Sequence, residues 1–541
     1  MASPLIYLID GALGWTNKRA GLMVIAKMVP ANEEDFYRYT TKRWLSNDHL
    51  EASKRYRKFN IHELIYAALR SSHAEKRTCI NVMKYREGLY NKSFLITFDD
   101  GSEVVAKLPN PNAGPKRFTI ASEVATMDYV HRRLDIPAPR VLSWGCDASN
   151  DVGCEYIIME KAKGVSLGDV WNKLARPLKN KFIQQVVDME LKLASTCLSQ
   201  HGCIYYTQNL PMEHQCKNAY GLPRDGEIEF SIGPIADPIL LSEERLELDT
   251  SPGPWYRLSD YAISMGQNEI IWAKNYAKPR FNYYQSNTDL ETPTDYMALI
   301  EKYLAVASYL TAAESPNPEF IRPTLWHSDL HLNNIYVDFT SQTISDIIDW
   351  QGATVAPLIL QARTPRMRED KHYEDALCYK YYEVQTAKRN PLHYAAITHN
   401  DTWKLPCIEP VKSVCEAWSS EEVFRLRSSL LAVVDHWHEL SLNTDCPITF
   451  TEEERNLHNE ELENRDYIGQ VIENFQEAGL LPADGIVDPQ GYEIVKRTSD
   501  IQKGSSRWLI PKKRKHGWTN CGHIRILAKN SMNTFRVLES P

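Results

Sequence analysis

The hydrophobic pattern of the chain changes near residue 164, and this change constrains the fold more than any other feature. Before it, three segments rich in β-branched and aromatic residues predict strands: NVMKY, KSFLITF and EVVAKL. Asp99, Asp100 and Gly101 supply turn chemistry between the last two strands. One segment with helical spacing follows, TIASEVATMDYVHRRL, and then two more strand segments, RVLSW and CEYIIME. We therefore expect a small antiparallel sheet with one helix over residues 79–164.

Helical spacing dominates beyond that point. A representative segment is KNKFIQQVVDMELKLASTCL. Ser419 with Glu422 and Thr451 with Glu454 have the spacing of capping boxes and predict two helix starts. The pattern indicates an α+β protein of two lobes, with a strand-rich N-lobe at 79–164 and a mainly helical C-lobe at 165–490. No low-complexity linker separates the lobes, so we expect a shared cleft between them.

Composition excludes several functions. The chain has 541 residues, enough for two to four structural units, and its net charge of -8 gives no overall attraction to nucleic acid. No stretch approaches the roughly 20 apolar residues of a membrane-spanning helix. The eleven cysteines form no CxxC pair, which is typical of a reducing compartment. We expect no nucleic-acid partner and no membrane span, and the oligomeric state stays open.

The two ends of the chain are expected to lie outside the lobes. Residues 1–78 form an N-terminal extension whose acid-poor start carries Lys18, Arg19 and Lys27. That start fits a transit segment and an ordinary extension equally well. The tail at 491–541 contains the basic run PKKRK, which we interpret as a solvated terminus rather than a nuclear address. His436 and His438 flank Trp437 and are interpreted as structural or exposed rather than as a metal or proton-transfer pair, because residues two apart on a helix do not share a face.

The residues with the clearest chemistry lie in the strand-rich run TLWHSDLHLNNIYVDFTSQTISDIIDW. Asp329 is followed five residues later by Asn334, and Asp349 ends a second apolar segment. Phosphoryl transfer needs a carboxylate beside the acceptor hydroxyl and oxygen ligands that hold magnesium on the phosphates. Taken alone, HSDLHLNN has about even odds of being a polar turn. The spacing nevertheless suits Asp329 as the base, Asn334 and Asp349 as metal ligands, and His327 as the residue that orients the loop.

A second pair of residues upstream favours the same chemistry. Lys107 ends the strand EVVAKL, and Glu123 lies in the following helix. In kinase-like folds a lysine at this place contacts the nucleotide phosphates and pairs with a helix glutamate. Each residue alone is more often a solvated charge. The pair together with Asp329, Asn334 and Asp349 is a specific signal for phosphoryl transfer.

The segments around these residues resemble a known family. The run LWHSDLHLNNIYVD followed by IIDW resembles the signature of the aminoglycoside phosphotransferase and choline kinase-like superfamily. FYRYTTKRWL, ASEVATMDYV, IPAPRVLSW and EYIIMEKAKGVSLGDVW resemble its fungal branch, which includes altered inheritance of mitochondria protein 9. The resemblance covers roughly residues 36–490. It implies a protein-kinase-like fold, ATP and Mg²⁺ as cofactors, and adenine contacts near Met159 and Glu160.

The chain departs from protein kinases at two places. The segment EGLYNKSF is not a GxGxxG loop, so Gly88, Asn91 and Ser93 are the candidates for phosphate contacts, and a simple hairpin turn is the alternative. No DFG and APE pair brackets an activation segment, because Asp349 is followed by Trp350 and Gln351. This absence favours a small acceptor over a protein substrate.

The sequence therefore predicts an ATP- and magnesium-dependent phosphotransferase acting on a small hydroxyl or amine acceptor. Residues 230–238 and 253–266 are expected to help form the acceptor pocket. The alternative is a kinase-like pseudokinase that binds nucleotide or a partner as a scaffold in mitochondria, and protein phosphorylation is a weaker third hypothesis. The resemblance implies a mitochondrial location, with the cytoplasm as the alternative.

Overall fold

A computed structural model provides the structure of the chain. It describes residues 33–71, 77–211, 229–238, 240, 243–282, 284–285, 290–312, 318–365, 373–399, 405–420, 422–440, 444–477, 482 and 485–497. The predicted transit segment with Lys18, Arg19 and Lys27, and the basic run at 511–515, lie outside these residues. The chain divides into two compact units, one of residues 1–42 and 47–471 and one of residues 43–46 and 472–541.

The described residues contain the following helices and strands. The helices are α1 Glu34–Tyr37, α2 Asp48–Ser53, α3 Ile61–Ser71, α4 Phe118–Leu134, α5 Leu167–Val170, α6 Arg176–Ala194, α7 Glu243–Leu246, α8 Leu258–Tyr276, α9 Pro293–Ala312, α10 Leu358–Gln361, α11 Tyr373–Arg389, α12 Pro391–His399, α13 Leu405–Ser413, α14 Val423–Asp435 and α15 Glu452–Glu477. The strands are β1 Arg43–Trp44, β2 Cys79–Lys84, β3 Asn91–Phe98, β4 Glu103–Pro109, β5 Val141–Gly145, β6 Tyr156–Glu160, β7 Val165–Ser166, β8 Cys203–Tyr206, β9 Phe230–Gly233, β10 Arg280–Phe281, β11 Leu290–Glu291, β12 Pro323–Trp326, β13 Ile335–Asp338, β14 Thr343–Ile347, β15 Thr354–Pro357 and β16 Ile486–Val487.

The N-lobe is a five-stranded antiparallel sheet in the order β2-β3-β4-β6-β5. Ala106 of β4 and Ile158 of β6 face each other and are fully buried. They belong to a core that also includes Phe36, Leu64 and Phe94, so α1 and α3 pack on this sheet. Residues from the predicted N-terminal extension thus complete the core of the N-lobe.

The C-lobe has two halves. The half that carries the residues predicted to be catalytic is called the catalytic half, and the other is called the helical half. The catalytic half packs α6, α11 and α12 with the β12–β15 pair and the β13–β14 hairpin. The helical half packs α8 and α9 against α13 and α14. The prediction of a two-lobed kinase-like fold, with a small antiparallel N-lobe and a mainly helical C-lobe, is confirmed.

Aromatic side chains attach α4 to the antiparallel pair formed by β8 and β9. Phe118 meets Tyr205 edge-on with 6.0 Å between ring centroids. Tyr129 meets Phe230 edge-on at 5.6 Å. Edge-to-face aromatic pairs at these separations are stabilising beyond the area they bury. The helix that follows the first three strands of the N-lobe sheet is therefore packed directly on the C-lobe.

One predicted capping box forms and the other does not. The Thr451 N–H donates to Glu454 Oε2 at 2.8 Å, and the Glu454 N–H donates to Thr451 Oγ1 at 3.2 Å. The box at Ser419 and Glu422 is wrong, because Ser419 Oγ instead donates to the Glu416 carbonyl at 3.4 Å. The helix begins at Val423 with Glu422 at its N-cap, so the cap position falls three residues later than predicted.

The paired histidines and the cysteines lie in ordinary surroundings. His436 and His438 are exposed as predicted, and His436 Nδ1 lies 3.1 Å from Glu439. All nine cysteines within the described residues are free of disulfide bonds. Across the described part of the chain, no helix is both long and apolar enough to cross a membrane.

A buried acid in the catalytic half makes stability depend on pH. Glu190 of α6 is 1% exposed and accepts a hydrogen bond from the Tyr382 hydroxyl at 2.8 Å. Burial raises the pKa of Glu190 from 4.5 to about 8. Between these values the unfolded chain releases a proton that the folded chain retains, so stability falls as pH rises from about 4.5 to about 8.

We expect Glu190→Gln to remove this pH dependence. The amide keeps the shape of the neutral acid but does not ionise. The free energy of unfolding should therefore decrease less in the variant than in the wild type over this pH range, by a difference of roughly 5 kcal/mol at most. Urea unfolding of wild type and variant across this range measures the effect. Glu301→Gln, at an exposed position of α9, is the control. Parallel pH profiles for wild type and Glu190→Gln would contradict the expectation.

Candidate active site

Lys107 lies between two carboxylates that come from different lobes. Its Nζ is 2.6 Å from Glu123 Oε1 on α4 and 2.6 Å from Asp349 Oδ1, two residues after β14. Burial alone would lower the pKa of Lys107, but the two carboxylates outweigh burial and raise it above its ordinary value. Lys107 is therefore a permanent cation at the junction of the lobes.

The two carboxylates respond differently to this position. Burial raises the pKa of Glu123, with Lys107 opposing the shift. Burial would also raise the pKa of Asp349, but Lys107 outweighs it and holds that pKa below its ordinary value. The Asp349 side chain is 39% exposed, whereas that of Glu123 is 2% exposed. Asp349 therefore presents a charged carboxylate to the cleft, and Glu123 anchors the lysine from behind.

His327 organises the loop that carries Asp329. The Asp329 N–H donates to His327 Nδ1 at 3.1 Å, so Nδ1 is the unprotonated nitrogen of the ring. His327 Nε2 then carries the proton and donates to the Ile348 carbonyl at 3.1 Å. Burial lowers the pKa of His327, which keeps the ring in this neutral form. One imidazole thus ties the loop after β12 to the residue before Asp349.

Asn334 closes the same loop from its other end. Its Nδ2 donates to the Asp329 carbonyl at 3.0 Å, and its own carbonyl accepts from the Ile348 N–H at 3.0 Å. The first bond directs the remaining side-chain atom, Oδ1, away from the loop backbone. The Asp329 carboxylate is 48% exposed, and His331 Nε2 lies 3.4 Å from its Oδ2. Asp329 is therefore held by its backbone while its carboxylate faces solvent.

Asp349 has a strained backbone. Its φ is 63°, in the left-handed region that non-glycine residues seldom occupy. Such conformations persist only where neighbouring contacts impose them, and they concentrate at functional sites. Trp350 supplies part of that support, because its Nε1 donates to the Ile347 carbonyl at 3.0 Å and its ring lies 4.6 Å from that of His327.

The donor atoms around Asp349 fit magnesium. Asp349 and the Oδ1 atom of Asn334 are oxygen donors, the type that Mg²⁺ prefers, and Mg²⁺ commonly takes only one or two carboxylates from the protein. Within the described residues no cluster of three or more histidine, cysteine, aspartate or glutamate side chains could hold a metal ion. Two protein oxygen donors would leave the other positions of an octahedral Mg²⁺ shell to ligands from outside the protein.

The three predicted phosphate contacts occupy different environments. Ser93 faces Lys107 across the β3–β4 pair, so both residues share the cleft face of the sheet. Asn91 begins β3, and its Nδ2 donates to Gln351 Oε1 at 2.8 Å. Gly88 is exposed in the loop between β2 and β3, where an added Cβ would have no atom within 4 Å and where φ is not positive. The structure thus brings Asn91 and Ser93 to the cleft but reveals no requirement for glycine at position 88.

Of the two predicted adenine contacts, one side chain faces the cleft. Met159 lies two residues after Ile157, which faces Lys107 across the β4–β6 pair, so the two side chains share the cleft face. Glu160 points to the opposite face and pairs with Arg140, at 2.9 Å between Oε1 and Nη2. Its backbone N–H already donates to the Arg140 carbonyl at 2.9 Å.

Several residues of the site carry no recognisable sequence signal. Gly168 lies so close to the catalytic loop that a Cβ would approach Asn333 Oδ1 to 1.7 Å. Gly164 has a φ of 81° and would direct a Cβ onto the Val337 carbonyl. Gln351 was recognisable only as a departure from the DFG motif, and His331 only as a neighbour of Asp329. Their roles depend on contacts between segments far apart in sequence.

Residues 230–238 and 253–266, expected to contribute to the acceptor pocket, do lie together in the fold. Ile235 of the first segment belongs to the same hydrophobic core as Trp255 and Met265 of the second. The Ile235 N–H also donates at 2.8 Å to the carbonyl of Pro252, one residue before the second segment. Ala236 N–H approaches Cys203 Sγ at 3.3 Å, and Cys203 Sγ in turn lies 3.5 Å from the Ala353 carbonyl. The first segment is therefore connected through Cys203 to the strand that follows the Asp349 loop.

The chain is similar in sequence to several fungal proteins. No family model matches the chain. A "Subtelomeric hrmA-associated cluster protein" of Aspergillus fumigatus is 27% identical over 482 residues, which cover 77% of this chain and 91% of the relative. "Altered inheritance of mitochondria protein 9, mitochondrial" of Yarrowia lipolytica is 23% identical over 533 residues, covering 89% and 90% of the two chains. The predicted resemblance to this fungal branch is confirmed.

Solved structures of aminoglycoside phosphotransferases are also similar to this chain. A thermostable mutant of aminoglycoside phosphotransferase APH(4)-Ia, in ternary complex with AMP-PNP and hygromycin B, is 16% identical. The comparison covers 67% of this chain and 95% of that one, with a TM-score of 0.33. A superposition at this level adds no weight to the site geometry described above.

We expect Lys107→Met to destabilise the fold strongly. The substitution leaves Glu123 buried without its partner, which should lower the free energy of unfolding by roughly 3–5 kcal/mol. Adding Glu123→Gln removes the uncompensated charge and should recover part of this loss. Both effects are measured by urea unfolding.

Lys161→Met is the matched control. Lys161 pairs with Glu103 at the same distance of 2.6 Å, but the two side chains are 45% and 30% exposed. Exposed pairs contribute about 1 kcal/mol or less, so this variant should unfold almost as the wild type does. Equal losses for Lys107→Met and Lys161→Met would contradict the anchoring role of Lys107.

Proposed function

We propose that the chain is an ATP- and Mg²⁺-dependent phosphotransferase whose acceptor is a small molecule with a hydroxyl or amine group. One observation carries the proposal: Lys107 joins Glu123 of the N-lobe to Asp349 of the C-lobe, at 2.6 Å from each. A lysine so placed can contact nucleotide phosphates, and the adjacent aspartate can hold the metal ion that bridges them. The resemblance to kinase-like phosphotransferases supports the same assignment.

Each residue has a distinct role in this proposal. Asp329 accepts the acceptor's proton or orients the acceptor for in-line attack, and its exposed carboxylate leaves room for that group. Lys107 stabilises negative charge on the transferring phosphoryl group. Asn334 Oδ1 and Asp349 would hold Mg²⁺, which when bound neutralises charge on the phosphates. His327 positions Asp329 through the hydrogen bond to the Asp329 N–H.

The nucleotide would lie against the cleft face of the N-lobe sheet. Met159 supplies an apolar surface for the adenine ring, while Asn91 and Ser93 lie toward the phosphate end. Glu160 faces away from the cleft, so a contact from its side chain is not part of the proposal. A backbone contact in the segment after β6 is compatible with the geometry.

The proposal of a small acceptor has two supports in the chain. Residues 230–238, which reach Ala353 through Cys203, and residues 253–266 are proposed to border the acceptor pocket. Asp349 is followed by Trp350 and Gln351, and we propose a small acceptor because this pattern does not match the activation segment of protein kinases. We also propose a mitochondrial location, on the basis of the fungal relatives that carry that word in their names.

A second function is a nucleotide-binding scaffold that has lost phosphoryl transfer. The observation that favours it is the loop between β2 and β3, where Gly88 is the sole glycine and approaches no other segment. A loop of this kind offers fewer backbone N–H groups to phosphates than a glycine-rich loop does. Transfer activity distinguishes the two functions, because both allow nucleotide binding.

The first test is a thermal-shift titration with ATP, with and without Mg²⁺. A ligand that binds only the native state raises the apparent melting temperature by mass action. We expect a Mg²⁺-dependent rise in the wild type that Asp349→Asn largely abolishes. Asp151→Asn, at an exposed turn residue, is the control. If ATP and Mg²⁺ leave the wild type's melting temperature unchanged, the nucleotide site is not functional.

The second test separates chemistry from binding. Asp329→Asn keeps the shape of the side chain and the His327 contact but cannot accept a proton. We expect turnover in an acceptor screen to fall at least about 100-fold, within the range typical for loss of a catalytic base, while the Mg²⁺–ATP shift persists. Unaltered turnover in this variant would refute the role of Asp329. Nucleotide binding without transfer to any acceptor by the wild type would favour the scaffold.

A further inference from the structure

Gln351 connects three loops of the cleft through a single residue. Its Nε2 donates to the Ala113 carbonyl at 2.8 Å, in the segment between β4 and α4. Its Oε1 accepts from Asn91 Nδ2 at 2.8 Å, at the start of β3. Its backbone carbonyl accepts from Ser328 Oγ at 2.9 Å, one residue before Asp329.

These bonds determine the orientation of both amides. Ala113 offers a carbonyl, which can only accept, so the Gln351 nitrogen must face it. The Gln351 oxygen then faces Asn91, which must present its own nitrogen in return. Asn91 Oδ1 is consequently directed away from Gln351, and it is buried without a hydrogen-bond partner within the described structure. Burying an acceptor without a hydrogen-bond partner costs free energy. The two side-chain bonds of Gln351 therefore hold Asn91 in an orientation that leaves its Oδ1 without a partner.

The position of Gln351 in the chain gives these bonds their importance. It lies two residues after Asp349, whose left-handed backbone already restricts the loop, and Gly352 follows with a φ of 70°. Asn91 lies two residues before Ser93, which faces Lys107. The Asn91–Gln351 contact therefore spans the cleft in parallel with the Lys107–Asp349 ion pair, at the end where the phosphates are proposed to bind.

We propose that Gln351 is a positioning residue for phosphoryl transfer, which sets the separation between the β2–β3 hairpin and the metal-binding loop. The inference rests on the proposed function, since it assigns Asn91 to the phosphate end of the nucleotide site. In this role Gln351 touches neither nucleotide nor acceptor. It acts through Asn91 on one side and through the Asp349 loop on the other, and it takes the place that glycine has in the DFG motif of protein kinases.

A double-mutant cycle on Asn91 and Gln351 tests the proposal. The dissociation constant for ATP in excess Mg²⁺ is measured by calorimetry for wild type, Asn91→Ala, Gln351→Ala and the double variant. We expect each single substitution to weaken binding about tenfold, as the loss of one or two well-formed hydrogen bonds does, and the double variant to be little weaker than either. Strong non-additivity is the signature of two residues that act as one unit.

Two controls separate positioning from a general loss of structure. Asn112→Ala removes an amide that contacts the same hairpin, through the Leu89 carbonyl at 3.4 Å, without involving Gln351. This variant should bind Mg²⁺–ATP as the wild type does. Melting temperatures without ligand are compared across the cycle, because a purely structural role would lower them and would leave the coupling in nucleotide affinity near zero. If Gln351→Ala does not fold, Gln351→Met replaces it, since methionine keeps the length of the side chain but can neither donate to Ala113 nor replace the amide oxygen that accepts from Asn91.

The outcomes distinguish this inference from the proposed function. A wild type that binds Mg²⁺–ATP, together with a non-additive cycle, supports the positioning role. A wild type that binds Mg²⁺–ATP, together with effects that add or a Gln351 substitution without effect, overturns the positioning role and leaves the phosphotransferase assignment intact. A wild type that does not bind Mg²⁺–ATP overturns both.

Discussion

The cleft depends on one buried cation held between carboxylates of two lobes. Lys107 keeps its charge while Glu123 and Asp349 lie 2.6 Å from it. Apart from Lys107, neither carboxylate has an ion-pair partner among its described contacts. This residue therefore joins β4 to α4 and the N-lobe sheet to the Asp349 loop, and the Asn91–Gln351 hydrogen bond is a second contact across the cleft. The His327 imidazole extends the same constraint, because it joins the Asp329 loop to the residue that precedes Asp349.

The C-lobe side of the site is joined by hydrogen bonds between its own loops. Asn334 Nδ2 donates to the Asp329 carbonyl, and His327 links the Asp329 N–H to the Ile348 carbonyl, one residue before Asp349. Gly168 leaves space for Asn333 against the same loop. Preorganised groups that meet developing charge contribute most to catalysis, so this network suits the proposed base and metal ligands.

Much of this arrangement was predictable because it follows from local patterns. Strand alternation and helical spacing predicted the N-lobe. The spacing of Asp329, Asn334 and Asp349, taken together with Lys107 and Glu123, predicted residues that the structure links around one cleft. The contacts of Gln351 and the close approach of Gly168 were not predictable, since each depends on segments that meet only in the folded chain. Glu160 illustrates a different limit: its neighbour Met159 faces the cleft, and one step along a strand reverses the face. The start of α14 was misplaced because Ser419 bonds to a preceding carbonyl instead of to the helix.

The aromatic attachment of α4 to the β8–β9 strand pair limits how the cleft could open. Protein kinases are switched by swinging the corresponding helix outward, which separates the lysine from the glutamate. Here that swing would have to break two edge-to-face aromatic pairs, Phe118 with Tyr205 and Tyr129 with Phe230, along with the buried pair of Glu123 and Lys107. An opening that leaves α4 in place would instead have to break the contacts on its other side, the Lys107–Asp349 ion pair and the Asn91–Gln351 hydrogen bond. In such a motion α4 would stay fixed and the β2–β3 hairpin would move.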